Sequence, residues 1–450
     1  MMHAMHIRNK KEPLILFLGD VALFYLALWL SLTIRYQDIP SREIWGAHLA
    51  PFSILFVVWV CIFFIAGLYE KHTLVLKSRL PAIIFYAHAI GSAIAVSFFY
   101  LIPFFGIAPK TNLFIFLVLS FLFILAWRLQ GVFLIGARKR QRAFLIGSGI
   151  EMEELYGEVN KNPRYNFQFV SFLNLGKIEG IDFEEEIVSR VYSEEISTII
   201  IDMKNEKILP ILPHLYNLIF SHVRFIDMHK VYEEVFDRVP LSLLGYSWFM
   251  ENISSPSHLA YDALKRGMDI VLSFIGTLAS FLVYPFVYIV IKLDDGGPMF
   301  ITQERIGQGN RMFTALKFRS MKTNDAGVWP REGDARITRA GRILRMTRID
   351  ELPQLWNVLT GDMSLIGPRP DIIGLGKDLA LKIPYYTVRN LIKPGLSGWA
   401  QIKQDAPPHS LEETRIRLSY DLYYIKNRSL LLDLNIALKT IRTLLSRTGR

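Results

Sequence analysis

The stretch RIDELPQLWNVLTGDMSLIGPRPD, residues 348–371, decides how the last part of the chain folds. It places two adjacent carboxylates, Asp350 and Glu351, shortly before Pro353. Proline is tolerated only in the first turn of a helix, so the next helix begins no earlier than about Asp350. The sequence therefore predicts an acidic pair at a helix N-terminus, where the backbone dipole favours an ionised carboxylate. An ordinary cap with an acidic first turn is the alternative.

The same stretch ends in an arginine that lies between two prolines. Pro368 and Pro370 restrict the backbone around Arg369 to extended conformations. Upstream of the acidic pair, arginines recur at three-residue spacing, which predicts one basic face on a short helix. These arginines are Arg339, Arg342 and Arg345. The acidic pair is therefore expected close to several guanidinium groups.

The segment GPMFITQERIGQGNRMFTALKFRSM, residues 297–321, predicts two strands around a turn at Gly307–Asn310. In the second strand, alternation places Lys317 and Arg319 on one face, with Leu316 and Phe318 on the other. Two fixed cations on one face suit phosphate oxygens, although a solvated polar strand face would show the same alternation.

Together these residues predict phosphoryl chemistry. An ionised carboxylate can act as a nucleophile toward phosphorus, and a second carboxylate can bind Mg²⁺ together with substrate phosphates. Arginine and lysine side chains can then stabilise the charge that spreads over the transferring group.

The first third of the chain predicts a membrane anchor. The 450 residues exceed one ordinary domain, and a mean hydropathy of +0.28 beside 20% charged residues indicates spans joined to soluble parts. Four apolar runs approach or exceed the length of about 20 residues that spans a bilayer. They are roughly Leu14–Ile34, His48–Tyr69, Pro81–Ile107 and Leu113–Leu134. The only cysteine, Cys61, lies in such a run, which excludes a disulfide framework and a thiolate metal site.

Charge predicts the orientation of these runs and the class of partner. Basic residues flank the ends predicted to be cytoplasmic, namely Arg8, Lys10, Lys11, Lys71, Lys77, Arg79, Arg138, Lys139, Arg140 and Arg142. The positive-inside rule then places the N-terminus and the chain after residue 136 in the cytoplasm. The net charge of +10 fits binding either to nucleic acid or to anionic lipids and phosphorylated substrates, and the apolar runs favour the second class of partner.

Asp20 and Arg128 lie inside the first and fourth apolar runs. We expect them to pair with each other or to reach the membrane interface, with a functional role as the alternative.

A fifth apolar run, Met268–Ile291, has basic residues on both sides and Pro285 inside it. A span here would place the basic C-terminal third outside the cell, against the charge rule. We therefore predict a kinked re-entrant helix at about 267–292, with a fifth span as the alternative.

Between the spans and this run, short apolar segments alternate with helical patterns. RAFLIG, FQFVSFLNLG, STIIIDM and VRFIDM predict strands of a doubly wound, Rossmann-like parallel sheet. A Gly-Ser-Gly turn at 147–149 resembles part of a dinucleotide fingerprint, but Met152 stands where a third glycine would pack helix on strand. A structural or regulatory module is favoured over nucleotide binding.

The C-terminal part resembles the bacterial sugar transferase family, the polyprenyl-phosphate hexose-1-phosphate transferases. The motifs that match are GPMFITQERIG, LKFRSM, DARITRAGRILR, DELPQLWNVLTGDMSLIGPRP, KPGLSGWAQI and YDLYYIKNRSLLLDL. The spans and the middle segment resemble the polytopic branch of that family. The expected organisation is a four-span helical bundle (1–137), a Rossmann-like cytoplasmic α/β domain (138–250) and an α+β catalytic domain with a re-entrant helix (251–450).

The resemblance implies the reaction and its residues. A UDP-sugar would be attacked at its β-phosphate by Asp350, releasing UMP, and undecaprenyl phosphate would then receive the sugar 1-phosphate, the first step of a surface glycan. Glu351, with Asp350, would bind Mg²⁺. The expected substrate-binding residues are Gln303, Arg305, Lys317, Arg319, Arg345 and Arg369. The enzyme would be a multi-pass protein of the bacterial inner membrane, with its catalytic domain in the cytoplasm. A homodimer is plausible from the many apolar spans, and no nucleic acid is expected as partner.

Two departures from the family pattern limit this resemblance. The kink falls at Tyr284-Pro285, about one turn later than the usual Ser-Pro, and IKQDAPPHSLEE follows GWAQ where many members have Asn-Gly. The identity of the sugar therefore stays open. The alternatives are a nucleotide-sugar oxidoreductase or epimerase, which needs an intact dinucleotide fingerprint, and a non-catalytic assembly scaffold, against which the acidic pair with its arginines argues.

Overall fold

The computed structural model describes residues 11–69, 80–101, 110–136, 140–162, 165–176, 184–221, 223–253, 259–322, 336–404 and 406–446. The chain divides into two compact units, Met1–Val235 and Phe236–Arg450.

Four apolar helices open the first unit and confirm the four predicted runs. Among the described residues, these four are each long and apolar enough to cross a membrane alone. They are α1 (Lys11–Tyr36), α2 (Arg42–Ile65), α3 (Leu80–Leu101) and α4 (Lys110–Gly136). Ile107, the predicted end of the third run, and most of the basic residues that predict the orientation lie outside the described residues.

The two charges inside the bundle form a buried ion pair, as predicted. The guanidinium of Arg128 contacts the carboxylate of Asp20, and both side chains are fully buried. Tyr69 Oη donates to Asp20 Oδ2 at 2.8 Å, and Arg128 Nη1 donates to the carbonyl oxygen of Leu68 at 2.7 Å. Both charges are therefore neutralised and hydrogen-bonded within the bundle, which an apolar surrounding requires.

The first unit also contains a four-stranded parallel sheet of order β2-β1-β3-β4, which confirms the predicted parallel sheet. The strands are β1 (Gln141–Gly147), β2 (Phe167–Asn174), β3 (Thr198–Ile201) and β4 (Arg224–Asp227). The helices are α5 (Ile150–Lys161), α6 (Arg190–Ser193), α7 (Leu212–Asn217) and α8 (Met228–Phe236). The side chains of Met228 and Met152 pack close to Gly147, where a dinucleotide would approach the backbone. This packing favours a structural role for the Gly-Ser-Gly turn.

The second unit contains α9 (Tyr246–Asn252) and then a bent pair of apolar helices, α10 (Leu259–Phe281) and α11 (Tyr284–Asp294). The two helices meet at 55°, and Pro285 lies in the first turn of α11, where its missing N–H costs nothing. The predicted kink is therefore present at this proline.

The side chains of α10 are arranged oppositely to those of a helix on a soluble protein. Its buried face is polar, whereas its exposed face is apolar. The buried polar residues are Asp269, Ser273, Thr277 and Ser280, and the exposed apolar residues include Met268, Ile270, Val271, Leu272, Phe274, Ile275 and Leu278. Such a surface fits an apolar solvent.

After the bent pair, β5 (Phe300–Ile306) and β6 (Met312–Phe318) form the predicted antiparallel hairpin. Gly309 and Asn310, in the connecting turn, both have φ of 63°, a left-handed conformation that glycine and asparagine tolerate best. Ile301 lies opposite Lys317 in the register.

The rest of the second unit is helical with a two-stranded parallel ladder between β7 (Ser364–Ile366) and β8 (Gly395–Ser397). The helices are α12 (Arg339–Met346), α13 (Gln354–Thr360), α14 (Ile373–Lys382), α15 (Trp399–Lys403), α16 (Leu411–Lys426) and α17 (Leu430–Ser446). One apolar core joins Trp248 of α9, Leu379 of α14 and Leu418 of α16.

Candidate functional site

The acidic pair lies in its own short 3₁₀ turn, Ile349–Glu351, between α12 and α13. Arg348, which precedes the turn, has a left-handed backbone with φ of 56°. Because α13 begins only at Gln354, the pair precedes the helix rather than occupying its first turn. Asp350 is nevertheless only 7% exposed.

Glu351 is surrounded by three cations. Arg369 Nη2 lies 2.5 Å from Glu351 Oε1, and its Nη1 lies 3.4 Å from Oε2. Lys317 Nζ and Arg348 Nη1 lie 3.7 and 3.8 Å from Oε1. Burial by itself would raise the pKa of Glu351, but the charges of Arg369 and Lys317 hold it well below its ordinary value. Glu351 is therefore an ionised carboxylate at neutral pH.

Asp350 has the opposite electrostatic character. Burial, and then the negative charge of Glu351, raise its pKa to about 6, although Lys317, Arg345 and Arg348 act to lower it. This differs from the expectation that a helix dipole keeps the carboxylate ionised, because the desolvation of Asp350 is the larger effect. Its Oδ1 atom is buried and has no hydrogen-bond partner among the described residues. One carboxylate oxygen of Asp350 is therefore buried with its hydrogen-bonding capacity unmet by the described residues.

The β5–β6 hairpin places further polar groups on the face that contains Lys317. Gln303 and Arg305 share that face because Gln303 lies opposite Ala315 and Arg305 opposite Phe313. Arg305 Nη2 donates to Gln303 Oε1 at 2.5 Å. Burial lowers the pKa of Lys317 to about 8, the charge of Glu351 opposes this, and Arg305 reinforces it. The hairpin therefore contributes a largely buried ammonium group whose pKa lies well below that of an ordinary lysine.

Arg369 reaches the acidic pair from the proline-flanked segment. Its side chain is 31% exposed, and contact with Glu351 raises its guanidinium pKa. Part of the side chain is thus exposed, while the guanidinium contacts Glu351. Such a bidentate arginine is well suited to phosphate oxygens.

The structure places two predicted residues differently. Strand β6 ends at Phe318, and Arg319 lies beyond it with its Nη2 atom 2.8 Å from Asp295 Oδ2. Arg345 Nη1 contacts the sulfur of Met321 at 3.2 Å, although its charge still acts on Asp350. The structure thus groups Lys317 and Arg369 with the acidic pair, whereas phosphate contact by Arg319 and Arg345 stays a prediction.

Sequence reasoning missed two features of the site. Arg348 immediately precedes the acidic turn, and its left-handed backbone is what places it beside Glu351. The second feature is a buried group of charged residues behind Arg369, in which Arg389 is central. The sequence DIIGLGKDL after the prolines showed no periodicity that would connect Asp371 to this group.

Only part of a metal site is present in the protein itself. Among the described residues, no group of three or more histidine, cysteine, aspartate or glutamate side chains is placed to bind a metal. The unpartnered Oδ1 of Asp350 and the weakly engaged Oε2 of Glu351 provide two carboxylate oxygens. Mg²⁺ usually takes one or two carboxylates and completes its shell with water and substrate phosphates. The residues therefore fit a Mg²⁺ ion that binds together with a phosphorylated ligand.

The geometry supports chemistry at an anionic ligand. A buried carboxylate with one free oxygen lies among four cations, Lys317, Arg345, Arg348 and Arg369, which all act electrostatically on the acidic pair. A site that is positive and partly desolvated favours phosphate groups and stabilises charge that develops on them.

Comparisons with known proteins agree with this chemistry. Residues 260–447 match the family model for the bacterial sugar transferases. A UDP-N-acetylgalactosamine-undecaprenyl-phosphate N-acetylgalactosaminephosphotransferase of Aeromonas hydrophila is 40% identical over 232 residues, which are 51% of this chain and 54% of that protein. The match thus spans about half the length of the Aeromonas relative.

Two further relatives have related names. A UDP-glucose:undecaprenyl-phosphate glucose-1-phosphate transferase of Caulobacter vibrioides is 40% identical over 192 residues, 42% of this chain and 72% of that protein. An undecaprenyl-phosphate glucose phosphotransferase of Komagataeibacter xylinus is 31% identical over 323 residues, 68% of this chain and 59% of that protein.

Proposed function

The chain belongs to the bacterial sugar transferase family, and from this premise we propose that it transfers a sugar 1-phosphate from a UDP-sugar to undecaprenyl phosphate. The product, an undecaprenyl-diphospho-sugar, would begin the synthesis of an exopolysaccharide, capsule or O-antigen type glycan. The observation that supports this most directly is the free, buried Oδ1 of Asp350 beside the cations that hold Glu351.

In the first step, an oxygen of ionised Asp350 attacks the β-phosphorus of the UDP-sugar. A bond forms between that oxygen and phosphorus, and the bond from phosphorus to the bridging oxygen breaks. The bridging oxygen leaves with the electron pair as part of UMP. The sugar 1-phosphate then remains on Asp350 as an acyl phosphate, and no proton needs to move.

In the second step, a phosphate oxygen of undecaprenyl phosphate attacks the same phosphorus. The new phosphorus–oxygen bond forms the diphosphate, and the bond to Asp350 breaks, so that the carboxylate is restored. Splitting the transfer in this way allows one cationic site to serve both halves of the reaction.

The cations around the pair stabilise the negative charge of the transferring phosphoryl group. Lys317, Arg348 and Arg369 surround the carboxylate of Glu351, so their charges lie beside the acidic pair. We propose that Arg369 shifts its exposed edge onto the diphosphate of the donor. Asp350 and Glu351 are the residues that would hold Mg²⁺, which when bound neutralises the charge of the diphosphate.

The finer architecture is part of the same proposal. The bent pair α10–α11, with its polar face buried and its apolar face exposed, enters and leaves one leaflet as a re-entrant helix. The catalytic unit then lies on the cytoplasmic side of the bacterial inner membrane, and the parallel-sheet domain is a Rossmann-like structural module. Homodimerisation remains a prediction, which native mass spectrometry in detergent would test.

UMP release provides the test of the proposed function. We would incubate the membrane-embedded protein with undecaprenyl phosphate, Mg²⁺ and a panel of UDP-sugars, beside Asp350→Asn. Asp362→Asn, a change at an exposed carboxylate after α13, is the matched control. We expect UMP from one donor with the parent and control proteins and none with Asp350→Asn. Equal release by Asp350→Asn would exclude Asp350 as the nucleophile.

A further inference from the structure

A buried arginine behind the site holds the backbone of Arg369. Arg389 is 1% exposed and uses all of its guanidinium nitrogens. Its Nη2 atom donates to the carbonyl oxygen of Arg369 at 2.8 Å, its Nη1 lies 2.5 Å from Asp371 Oδ2, and its Nε donates to Asp421 Oδ2 at 2.9 Å. It therefore joins the proline-flanked segment to α16.

The charges of this group balance, and their hydrogen bonds are largely met inside it. Arg417 Nη2 donates to Asp371 Oδ1 at 2.9 Å, and Tyr386 Oη donates to Asp371 Oδ2 at 2.7 Å. Burial would raise the pKa of Asp371, but the charges of Arg389 and Arg417 hold it below its ordinary value. A buried ionic group of this kind often adds little stability compared with apolar residues of similar volume, so its presence calls for another reason.

The backbone of the proline-flanked segment is held at four successive carbonyl groups. The carbonyl of Pro368 accepts from the backbone N–H of Gly395 at 2.9 Å, and that of Asp371 accepts from the N–H of Ile306 at 3.0 Å. Between them, the carbonyl of Pro370 accepts from Arg305, and that of Arg369 accepts from Arg389. The prolines fix φ on either side, and the bond from Arg389 fixes the direction of the Arg369 carbonyl.

We propose that Arg389 is a positioning residue for donor binding, acting through Arg369. This inference rests on the proposed function and assigns a role to a residue that touches neither carboxylate of the acidic pair. With its backbone held, Arg369 can exchange Glu351 for the donor diphosphate by rotating its side chain alone. Without that bond, its guanidinium would be spread over several positions and would bind the diphosphate more weakly.

A double-mutant cycle in the full-length protein tests this role, with UDP as the probe and calorimetry as the readout. The four proteins are the parent, Arg369→Ala, Arg389→Lys and the double variant. Lysine keeps the positive charge but cannot hold three separate partners as the guanidinium does. Arg415→Lys, at an exposed arginine that pairs with Glu412 on the surface, is the matched control.

We expect Arg369→Ala and Arg389→Lys each to weaken UDP binding by about tenfold, the size of losing one charge-assisted contact. The double variant should bind UDP no more weakly than Arg369→Ala, because the second change acts through a side chain that is already absent. Arg415→Lys should bind UDP as the parent does.

Two results would overturn the inference and one would overturn its premise. Full additivity of the two changes, or unchanged binding in Arg389→Lys, would show that Arg389 does not act through Arg369. Failure of the parent protein both to bind UDP and to release UMP from the donor panel would instead remove the proposed function. If Arg389→Lys does not fold, Asp421→Asn takes its place under the same criteria. Asparagine removes the negative charge that pairs with Arg389 but keeps an oxygen that can accept the hydrogen bond from Arg389 Nε.

Discussion

The rate of UMP release should follow a bell-shaped pH profile, because two neighbouring groups of the site titrate on either side of neutrality. Asp350, with a pKa raised to about 6 by burial, becomes ionised as the pH rises through that value. Lys317, with a pKa lowered to about 8 by burial, loses its charge as the pH rises further. One pH unit beyond either pKa leaves about a tenth of the group in the required form. We therefore expect about a tenfold loss of rate at pH 5 and at pH 9, relative to pH 7.

Lys317→Arg is the perturbation that separates the two limbs. Arginine stays protonated throughout this range, so the loss of rate above pH 8 should disappear while the loss below pH 6 remains. Lys377→Arg, an exposed position on α14, is the matched control and should keep both limbs.

The assay is single-turnover UMP release without undecaprenyl phosphate. The acceptor is omitted because a phosphate monoester has a second pKa of about 6, which would add its own titration to the acid limb. A profile that stays flat between pH 5 and pH 7 would show that Asp350 stays ionised over this range once donor and Mg²⁺ are bound, and would refute the expected acid limb. An alkaline limb that survives in a folded Lys317→Arg protein would refute the role given to the Lys317 ammonium.

Two further predictions concern stability. Arg128→Leu leaves Asp20 buried without its partner and should lower the free energy of unfolding by about 3–5 kcal/mol. Replacing both residues by leucine should lower it less, because no unpaired charge remains. Thermal unfolding in detergent micelles measures both variants, and equal losses of stability would contradict the buried pair. Gly341→Ala would place a methyl group against the backbone carbonyl of Ser320 and should lower the free energy of unfolding by about 1–3 kcal/mol in the same measurement. Gly374→Ala is the control and should not lower it, because its methyl group would meet open space. A stable Gly341→Ala protein would show that α12 can move away from that carbonyl.

Much of the fold could be predicted because it depends on local patterns. Apolar runs of bilayer length gave the four helices, and short apolar segments with turn residues gave the parallel sheet and the β5–β6 hairpin. Pro285 fixed the position of the kink, since proline cannot continue a helix that enters from its N-terminal side. The pairing of Asp20 with Arg128 followed from the cost of two isolated charges among apolar side chains.

The electrostatics of the site depended on distances that the sequence does not contain. The alternation of the sequence predicted Lys317 and Arg319 on one face of a strand. The strand ends at Phe318, between these residues, and the guanidinium of Arg319 pairs with the carboxylate of Asp295. Arg348 contacts Glu351 because its backbone is left-handed, a conformation that residues other than glycine rarely adopt. Desolvation, which decides the protonation of Asp350, is likewise a property of the folded chain.

Hydrogen bonds join α10 to the segment that follows the acidic turn. Asp269 Oδ1 accepts from the backbone N–H of Leu365, and Arg266 donates to the carbonyl oxygens of Val358 and Leu359 at the end of α13. Helix α13 follows the acidic turn directly, so these bonds fix the distance from the acidic pair to α10.

If α10 and α11 enter one leaflet as proposed, the depth of Asp350 is set by the helix itself rather than by a flexible linker. Such rigid placement favours reaction with a lipid phosphate, because the head group of that substrate is confined to the membrane surface. The donor is free to diffuse in water, whereas the acceptor can approach only at the depth where its isoprenoid chain remains in the bilayer. A nucleophile held at that depth therefore meets both substrates without a change in the position of the catalytic unit.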